Sequence, residues 1–138
     1  MAQVFELQIT SDPRLLRTVR LTVEQICQIA GFPRLEASKI VLAVDEACSN
    51  VIRHAYKNRE DQPILITFRI FSTKLKIDLV DFGEHSNIRL IKPRPLHELR
   101  PGGLGVHLIR SVMDRVEYKN LERIGNRLVM EKKLPKRS

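Results

Sequence analysis

The sequence lacks most of the features that are typical of membrane-spanning proteins, of secreted proteins and of proteins that stack on nucleic-acid bases. It holds no tryptophan and only two tyrosines, and its basic and aromatic residues do not interleave as they do in single-strand-binding surfaces. No stretch approaches the roughly 18 consecutive apolar residues that a membrane span requires. Residues 1–6 lack the basic-then-apolar order of a signal peptide. We therefore expect a cytoplasmic protein without a membrane segment.

Cysteine is also scarce, since the chain has only two, Cys27 and Cys48. Both lie in stretches of helical periodicity beside apolar neighbours. Free cysteines in such surroundings behave as small hydrophobic residues. We predict buried free thiols in a reducing cytoplasm, and neither a disulfide nor a metal site.

Negative charge is in short supply as well. The chain has 16 Asp and Glu against 24 Lys and Arg, which gives a formal net charge of +8. The basic residues are scattered, with local clusters only at 92–94 and 132–137. A mostly solvated basic surface is the simplest interpretation, and an acidic protein partner is the next. We expect no direct contact with nucleic acid, although a basic nucleic-acid-binding domain stays open as the third alternative.

The beginning of the chain has clear start and stop signals. Residues 4–10 alternate between apolar and polar side chains, which is typical of a half-buried strand. Asp12 and Pro13 supply an N-cap and a first helical position, and Gly31 ends this helix. The side chains predicted to face the core are Leu15, Leu16, Val19, Val23, Ile26 and Ile29.

The rest of the chain alternates helical and strand patterns without a linker or an internal repeat. The predicted segments are a helix from near residue 35 to 56–58, strands at 64–70 and 75–80, an irregular segment at 84–101, a helix after residue 105, and strands near 116–118 and 128–130. This order predicts an α+β fold, a two-layer sandwich with helices on one face of a mixed, mostly antiparallel sheet. Residues 1–138 would form one domain with a basic tail at 134–138.

The second predicted helix carries the pattern around which the chain is organised. At about 100° per residue its apolar side chains form one stripe. The stripe consists of Ile40, Val44, Ala47, Val51 and Ala55. Glu46, Asn50 and His54 step by four residues along its edge. A carboxylate and an amide one turn apart beside a core face need partners if they are buried. A solvated helix border is the alternative for this pattern alone.

These side chains can carry specific chemistry. The oxygen of Asn50 can coordinate Mg²⁺, a hard cation that keeps several waters. Glu46 can act as a base toward a water or hydroxyl that attacks a terminal phosphate. His54 falls nearer the middle of the apolar stripe, and we predict that it is structural.

A glycine-rich turn precedes the third helix. Gly102, Gly103 and Gly105 permit close backbone approach, and the N–H groups of the helix start suit a polyphosphate. The turn is not a Walker motif, because it lacks Gly-Lys-Ser/Thr, nor a dinucleotide fingerprint, because no strand precedes it. On its own, a plain loop-to-helix junction explains it at least as well.

A third motif, Asp81-Phe82-Gly83, ends a predicted strand. Asp81 can accept a hydrogen bond from an exocyclic amine such as that of adenine, while Gly83 lets the chain turn away beneath the base. A protein-kinase interpretation with Asp81 on magnesium fails, since the chain is too short and has no HRD-type catalytic loop. On its own, this tripeptide is most simply a turn.

Taken together, the order and spacing of the three motifs are specific. Glu46 and Asn50 with His54-Ala55-Tyr56, then Asp-x-Gly after a hairpin, then G-x-G at a helix start resemble the GHKL (Bergerat-fold) ATP-binding family. Within this family, residues 44–50, 54–56 and 102–117 are most similar to bacterial anti-sigma factor serine/threonine kinases. The resemblance extends from the first strand to Lys133.

The resemblance implies a function and roles for single residues. The protein would be a serine/threonine kinase that binds Mg-ATP, sequesters a sigma factor or similar target, and phosphorylates a serine on a small antagonist (anti-anti-sigma) protein. Glu46 would be the catalytic base, Asn50 would hold magnesium, and Asp81 with Gly83 beside it would bind the adenine amine. Residues 84–101 would form an ATP lid, and the family fold implies a homodimer. The residues implied at the phosphates are Arg100, Gly102, Gly103, Leu104, Gly105 and Val106.

Two positions depart from the family pattern. His85 stands where the family often has a second glycine, and the last strand, 126–130, offers no threonine near the adenine. A non-catalytic module that binds nucleotide and switches partners by ordering of the lid therefore stays open. So does the choice between a partner surface and a solvated surface for Arg14, Arg17 and Arg20.

Overall fold

The computed structural model describes residues 2–85 and 103–136, of which residues 103–106 are described by their backbone alone. Within these ranges the structure contains three α-helices and five strands. The helices are α1 (Leu16–Ala30), α2 (Arg34–Asn50) and α3 (Gly103–Val112). The strands are β1 (Gln3–Thr10), β2 (Pro63–Ile70), β3 (Lys74–Asp81), β4 (Arg115–Asn120) and β5 (Asn126–Lys133). This order matches the predicted one.

The strands form one sheet in the order β1-β2-β3-β5-β4, and every neighbouring pair is antiparallel. Because side chains alternate between the faces of a sheet, the register aligns rows of apolar side chains toward the helices. One such row runs across all five strands, through Leu7, Ile66, Leu79, Leu128 and Tyr118. The predicted α+β sandwich is confirmed, and the described strands are antiparallel throughout.

The predicted signals at both ends of the first helical segment are confirmed. Asp12 Oδ1 accepts a hydrogen bond from the Arg14 N–H at 2.9 Å, and Pro13 opens a single 3₁₀ turn before α1. Gly31 ends α1 with a φ of +89°, a value that glycine adopts without strain. Ile29 was predicted to face the core, but 54% of its surface is exposed. Its position on the helix lies outside the stripe of side chains that face the core, and Cys27 lies in that stripe instead.

The stripe on α2 lies in the core, as predicted. All five of its residues are less than 9% exposed: Ile40, Val44, Ala47, Val51 and Ala55. α1 and α3 both pack against α2, so it is the central element of the helical layer. Within the two described ranges, no helix is long and apolar enough to cross a membrane.

Cys27 and Cys48 are buried free thiols, which confirms the prediction for both. Burial raises the pKa of each thiol to about 12. Both sulfurs therefore stay protonated near neutral pH and pack as small hydrophobic groups.

The sheet face opposite the helices is charged. Asp78 is buried there and accepts hydrogen bonds from Arg69 at 3.0 Å and from Arg127 at 2.7 Å. Glu131 pairs with Lys74 and Arg115, and these two cations lower the pKa of its carboxyl group. A surface cavity of about 170 Å³ on this face is lined by Lys76, Arg115, Glu117, Lys119, Arg127 and Val129.

Candidate functional site

α2 carries Glu46 and Asn50 one turn apart, and both side chains are partly exposed at the border of the buried stripe. The guanidinium group of Arg53 contacts both of them. Its Nη2 lies 3.2 Å from Glu46 Oε1 and 3.0 Å from Asn50 Oδ1. Its Nε donates to the Ser49 carbonyl oxygen at 3.4 Å, so the side chain lies back along its own helix. A third residue therefore joins the two side chains that the sequence singles out.

Arg53 was not predicted at this site, although the sequence contains a signal for it. It follows Glu46 by seven residues, about two helical turns, so the two side chains lie on nearly the same face. Helical side chains lean toward the N-terminus, which lets a long guanidinium reach back over Asn50 to Glu46. The predicted column of four-residue steps continued from Asn50 to His54 and did not include Arg53.

The helix changes geometry just after Asn50. Residues Val51–Ala55 form a π-helical turn, and the Tyr56 N–H donates to the Val51 carbonyl oxygen five residues back at 3.0 Å. A π turn rotates less per residue than an α-helix, so later side chains leave the predicted positions. His54 is exposed and does not lie in the buried stripe, and its structural role stays a prediction. Partial burial, Arg53 and Lys57 lower the pKa of His54.

The end of this helix is joined to the strand end that carries Asp81. Tyr56 is fully buried; its hydroxyl donates to the Pro63 carbonyl oxygen at 2.5 Å and accepts from the Phe82 N–H at 2.7 Å. The Glu84 N–H donates to the Ala55 carbonyl oxygen at 3.0 Å. The segment with Glu46 and Asn50 and the Asp81-Phe82-Gly83 motif thus share one hydrogen-bonded junction.

Two glycines, Gly83 and Gly125, allow the backbone segments at this junction to pack closely against one another. A side chain at Gly83 would overlap the backbone of Ala55, so only glycine fits against the helix end. Gly125 has a φ of +100°, and a side chain there would overlap the Asp81 carbonyl oxygen. The Gly125 N–H donates to the Gly83 carbonyl oxygen at 2.8 Å. The turn before β5 is therefore packed directly against the Asp81 motif.

Replacing Tyr56 with phenylalanine should lower the free energy of unfolding by about 1–3 kcal/mol, because two backbone groups at the junction lose their partner. The phenyl ring keeps the volume, so no cavity forms. Urea unfolding followed by circular dichroism measures the loss. Tyr118→Phe is the matched control, since no hydrogen bond of the Tyr118 hydroxyl occurs within the described residues. A similar loss in both variants would contradict the assignment.

Asp81 ends β3 with a buried carboxylate. Its Oδ1 accepts from the Gly83 N–H at 2.9 Å and from Asn126 Nδ2 at 3.0 Å. Burial raises the pKa of Asp81, while these two hydrogen bonds act in the opposite direction. Within the described residues, Oδ2 accepts no hydrogen bond. The carboxylate thus has one oxygen fixed by the protein and one left for another donor.

Asn126 is a site residue that the sequence did not reveal. It pairs with Asp81 in the register of β3 and β5, and its Nδ2 also donates to the Glu84 carbonyl oxygen at 2.8 Å. The sequence gives only a weak signal, a polar residue directly after Gly125 at a strand start. The last strand thus has no threonine near the predicted adenine position, but its Asn126 contacts Asp81, the predicted adenine-binding aspartate.

The predicted glycine turn forms the start of a helix. α3 begins at Gly103, and the N–H groups of a first helical turn have no partners inside the helix. The residues of this turn are Gly103, Leu104, Gly105 and Val106. Arg100, Gly102 and most of the predicted lid lie outside the described residues, as do all of residues 86–102.

Glu46 acts electrostatically on Tyr118 of β4. Burial and the negative charge of Glu46 together raise the pKa of Tyr118 to about 12, while Arg110 acts in the opposite direction. Arg110 of α3 lies over the Tyr118 ring, with 5.9 Å from its guanidinium carbon to the ring centre. Glu46 therefore lies within electrostatic range of the side chains between α3 and β4.

The motifs and the fold agree with a known family. The family model described as the histidine kinase-like ATPase domain matches residues 9–132. The chain belongs to the histidine kinase-like ATPase family. Several curated members are similar over most of their length and are named serine-protein kinase RsbW. The Listeria innocua protein is 32% identical over 119 residues, which cover 80% of this chain and 76% of the relative. The Bacillus subtilis protein is 29% identical over 127 residues, which cover 86% and 79%.

Solved structures agree with the family assignment at the level of the fold. A crystal structure of the RsbU and RsbW domains of a Mycobacterium tuberculosis protein matches with a TM-score of 0.69 at 12% identity. The match covers 96% of this chain and 32% of that longer chain. The catalytic domain of the histidine kinase ThkA matches with a TM-score of 0.61 at 18% identity, over 96% and 98% of the two chains.

Whether this site can hold a metal ion depends on the ligands that its side chains offer. No group of three or more His, Cys, Asp or Glu that could hold a metal ion occurs in residues 2–85 and 103–136. Asn50 offers an oxygen ligand of the kind that Mg²⁺ prefers, and the carboxylate of Glu46 adds negative charge one turn away. Both oxygens already attract a cation, the Arg53 guanidinium. The residues present therefore fit a magnesium ion that takes its remaining ligands from water and from phosphate.

Proposed function

We propose that this protein is an anti-sigma-factor-type serine/threonine kinase. It binds Mg-ATP between α2, the start of α3 and the ends of β3 and β5. It transfers the terminal phosphoryl group to a serine of a small antagonist protein, and it sequesters a sigma factor or a similar target. The similarity to serine-protein kinases over most of the chain supports kinase activity, and membership of the ATPase family supports ATP as the nucleotide.

The observation that carries this proposal is the junction between the two predicted half-sites. Tyr56 and Gly83 join the segment that bears Glu46 and Asn50 to the strand end that bears Asp81. Asp81, proposed to bind the base, and the pair Glu46 and Asn50, proposed to act at the phosphates, then belong to hydrogen-bonded parts of the fold. The nucleotide would extend between them. A basic domain that binds nucleic acid through scattered side chains has no need of such a junction.

Each residue has a defined part in the proposed reaction. The free oxygen of Asp81 accepts a hydrogen bond from the adenine amine, and the backbone N–H groups at Gly103 and Gly105 hold the phosphates. Asn50 would hold the magnesium ion, which neutralises charge on the phosphate oxygens when it is bound. Glu46 takes the proton of the serine hydroxyl as that oxygen attacks the terminal phosphorus of ATP, whose bond to the bridging oxygen breaks so that ADP leaves.

The predictions for the remaining segments become part of the proposal. Residues 1–138 form one ATP-binding domain in which 84–101 is the lid and 134–138 a tail, and Arg100 reaches the terminal phosphate. The cytoplasm is the proposed place of action, and the buried free thiols Cys27 and Cys48 suit its reducing conditions.

Two surfaces are proposed for protein partners. The sheet face opposite the helices is proposed to pack against a second copy in a homodimer. The exposed side of the first helical segment is proposed for the sigma factor and antagonist, with Arg14 and Arg17 exposed on it. Arg20 is held in an ion pair with Asp45 at 2.8 Å, so it contributes less to that surface.

The test is incubation of the protein with labelled ATP, Mg²⁺ and a candidate antagonist protein, followed by phosphoamino-acid analysis. Phosphoserine on the antagonist is the expected result. Measurable ATP affinity without phosphoserine would favour the non-catalytic switch module. No stabilisation by ATP together with steeply salt-dependent duplex binding would overturn the proposal in favour of nucleic-acid binding.

Replacing Asn126 with alanine should weaken ATP binding about threefold to tenfold, the effect expected when one hydrogen bond of ordinary net strength is lost. Without its donor, Asp81 Oδ1 keeps only the Gly83 N–H, and the carboxylate is less firmly positioned. Isothermal titration with a non-hydrolysable ATP analogue measures the change. Gln28→Ala, which removes an exposed amide side chain from α1, is the control and should bind as the wild type does. Equal affinities for both variants would contradict a role for Asn126.

A further inference from the structure

Arg53 occupies the two oxygens that the proposed reaction needs. Its Nη2 lies 3.0 Å from Asn50 Oδ1 and 3.2 Å from Glu46 Oε1. We propose that Arg53 is a latch on these two oxygens, and that Mg-ATP displaces its guanidinium from Asn50 before the reaction proceeds. This regulatory role rests on the proposed functions of Asn50 and Glu46.

The latch follows from charge. A magnesium ion on Asn50 Oδ1 and a guanidinium hydrogen-bonded to the same oxygen would place two positive charges side by side. Arginine stays protonated at any physiological pH, so the guanidinium cannot relieve this repulsion by losing a proton. The repulsion favours the departure of one of the two cations. Binding of the metal is therefore coupled to movement of the Arg53 side chain.

The surroundings of Arg53 allow that movement. Its side chain is 45% exposed, and that of Glu46 is 25% exposed, so water screens the ion pair and weakens it. The third contact, from Nε to the Ser49 carbonyl oxygen, is long at 3.4 Å. An arginine buried on all sides could not act in this way, because its release would leave an unpaired charge.

The latch predicts a change in how strongly magnesium assists nucleotide binding. The measured quantity is the ratio of affinities for a non-hydrolysable ATP analogue with saturating Mg²⁺ and with EDTA, obtained by isothermal titration. Arg53→Gln should raise this ratio about threefold to tenfold, since magnesium no longer competes with a solvent-exposed hydrogen bond of ordinary net strength. No turnover is needed for this readout.

Two further variants separate the latch from simpler effects. Arg34→Gln removes an exposed positive charge from the same helix and should leave the ratio unchanged. Arg53→Lys keeps the charge but lacks the planar fork that reaches both oxygens, so its ratio should rise as in Arg53→Gln. A wild-type ratio in Arg53→Lys together with a raised ratio in Arg53→Gln would overturn the latch and point to charge alone.

Other outcomes are equally decisive. If Arg53→Gln lowers the unfolding midpoint but leaves the ratio unchanged, Arg53 only stabilises the helix, and the latch is wrong while the proposed function stands. If magnesium does not assist nucleotide binding even in the wild type, the proposed function of Asn50 fails, and the latch fails with it.

Discussion

Replacing Glu46 with glutamine is expected to slow phosphoryl transfer about 100-fold or more, the usual effect of removing a general base, and to leave ATP affinity nearly unchanged. Glutamine keeps the size of the side chain, and its Oε1 can still accept the hydrogen bond that Arg53 Nη2 donates at 3.2 Å. What glutamine cannot do is take the proton of the attacking serine hydroxyl. Single-turnover transfer from labelled ATP to the antagonist measures the rate.

A matched control is Glu60→Gln, which makes the same change in an exposed loop. Its transfer rate should equal that of the wild type. Transfer at the wild-type rate by Glu46→Gln would remove Glu46 from the role of base. A large loss of ATP affinity in Glu46→Gln would instead assign Glu46 to nucleotide binding.

Most of the fold could be predicted from periodicity. The stripe on α2 and the alternation in β2 and β3 both come from burial against one continuous core, and such patterns are regular along the chain. The start of the first helical segment at Asp12 and the end of α1 at Gly31 were predictable for a similar reason, because a cap and a positive φ depend on local chemistry. Ile29 was wrongly predicted to face the core, because the core-facing stripe of α1 covers only part of the helix surface and Ile29 lies outside it.

The site was only partly predictable. Glu46, Asn50 and Asp81 stand in motifs whose order is specific, so the sequence pointed to them. Arg53 was missed because it does not fall on the four-residue steps that connect Glu46, Asn50 and His54. Asn126 was missed because its partner Asp81 lies 45 residues away in sequence and is brought close only by the pairing of β3 with β5.

His54 shows a different limit of sequence analysis. Its predicted position assumed an unbroken α-helix through residue 55. The π-helical turn at Val51–Ala55 changes the rotation per residue, and nothing in the local residue types announces such a turn. The side chain of His54 therefore does not continue the predicted column, whereas Arg53, three residues after Asn50, contacts it.

Replacing Asp81 with asparagine is expected to weaken ATP binding about 10- to 100-fold, the range for losing a hydrogen bond to a charged acceptor. The asparagine oxygen would keep the hydrogen bonds from Gly83 and Asn126, both of which donate to Asp81 Oδ1. Its NH₂ group would then take the place of Oδ2 and face the adenine amine, donor against donor. Isothermal titration with Mg-ATP analogues measures the loss.

The same variant should not be less stable. Because burial raises the pKa of Asp81, its ionised form lowers the stability of the folded protein near neutral pH, and a neutral side chain removes that penalty. Asp81→Asn should therefore unfold at an equal or higher urea concentration while it binds ATP poorly. Weak ATP binding in an unstable variant would indicate only a damaged fold.

The nucleotide preference gives the sharpest test of Asp81. Guanine carries an oxygen where adenine carries its amine, so the new NH₂ group of Asp81→Asn would meet an acceptor. The ratio of ATP to GTP affinity should fall in Asp81→Asn, and it should stay at the wild-type value in Asp61→Asn, the same change at an exposed loop position. An unchanged ratio in Asp81→Asn would show that Asp81 does not read the base, and the adenine would have to be placed elsewhere in the fold.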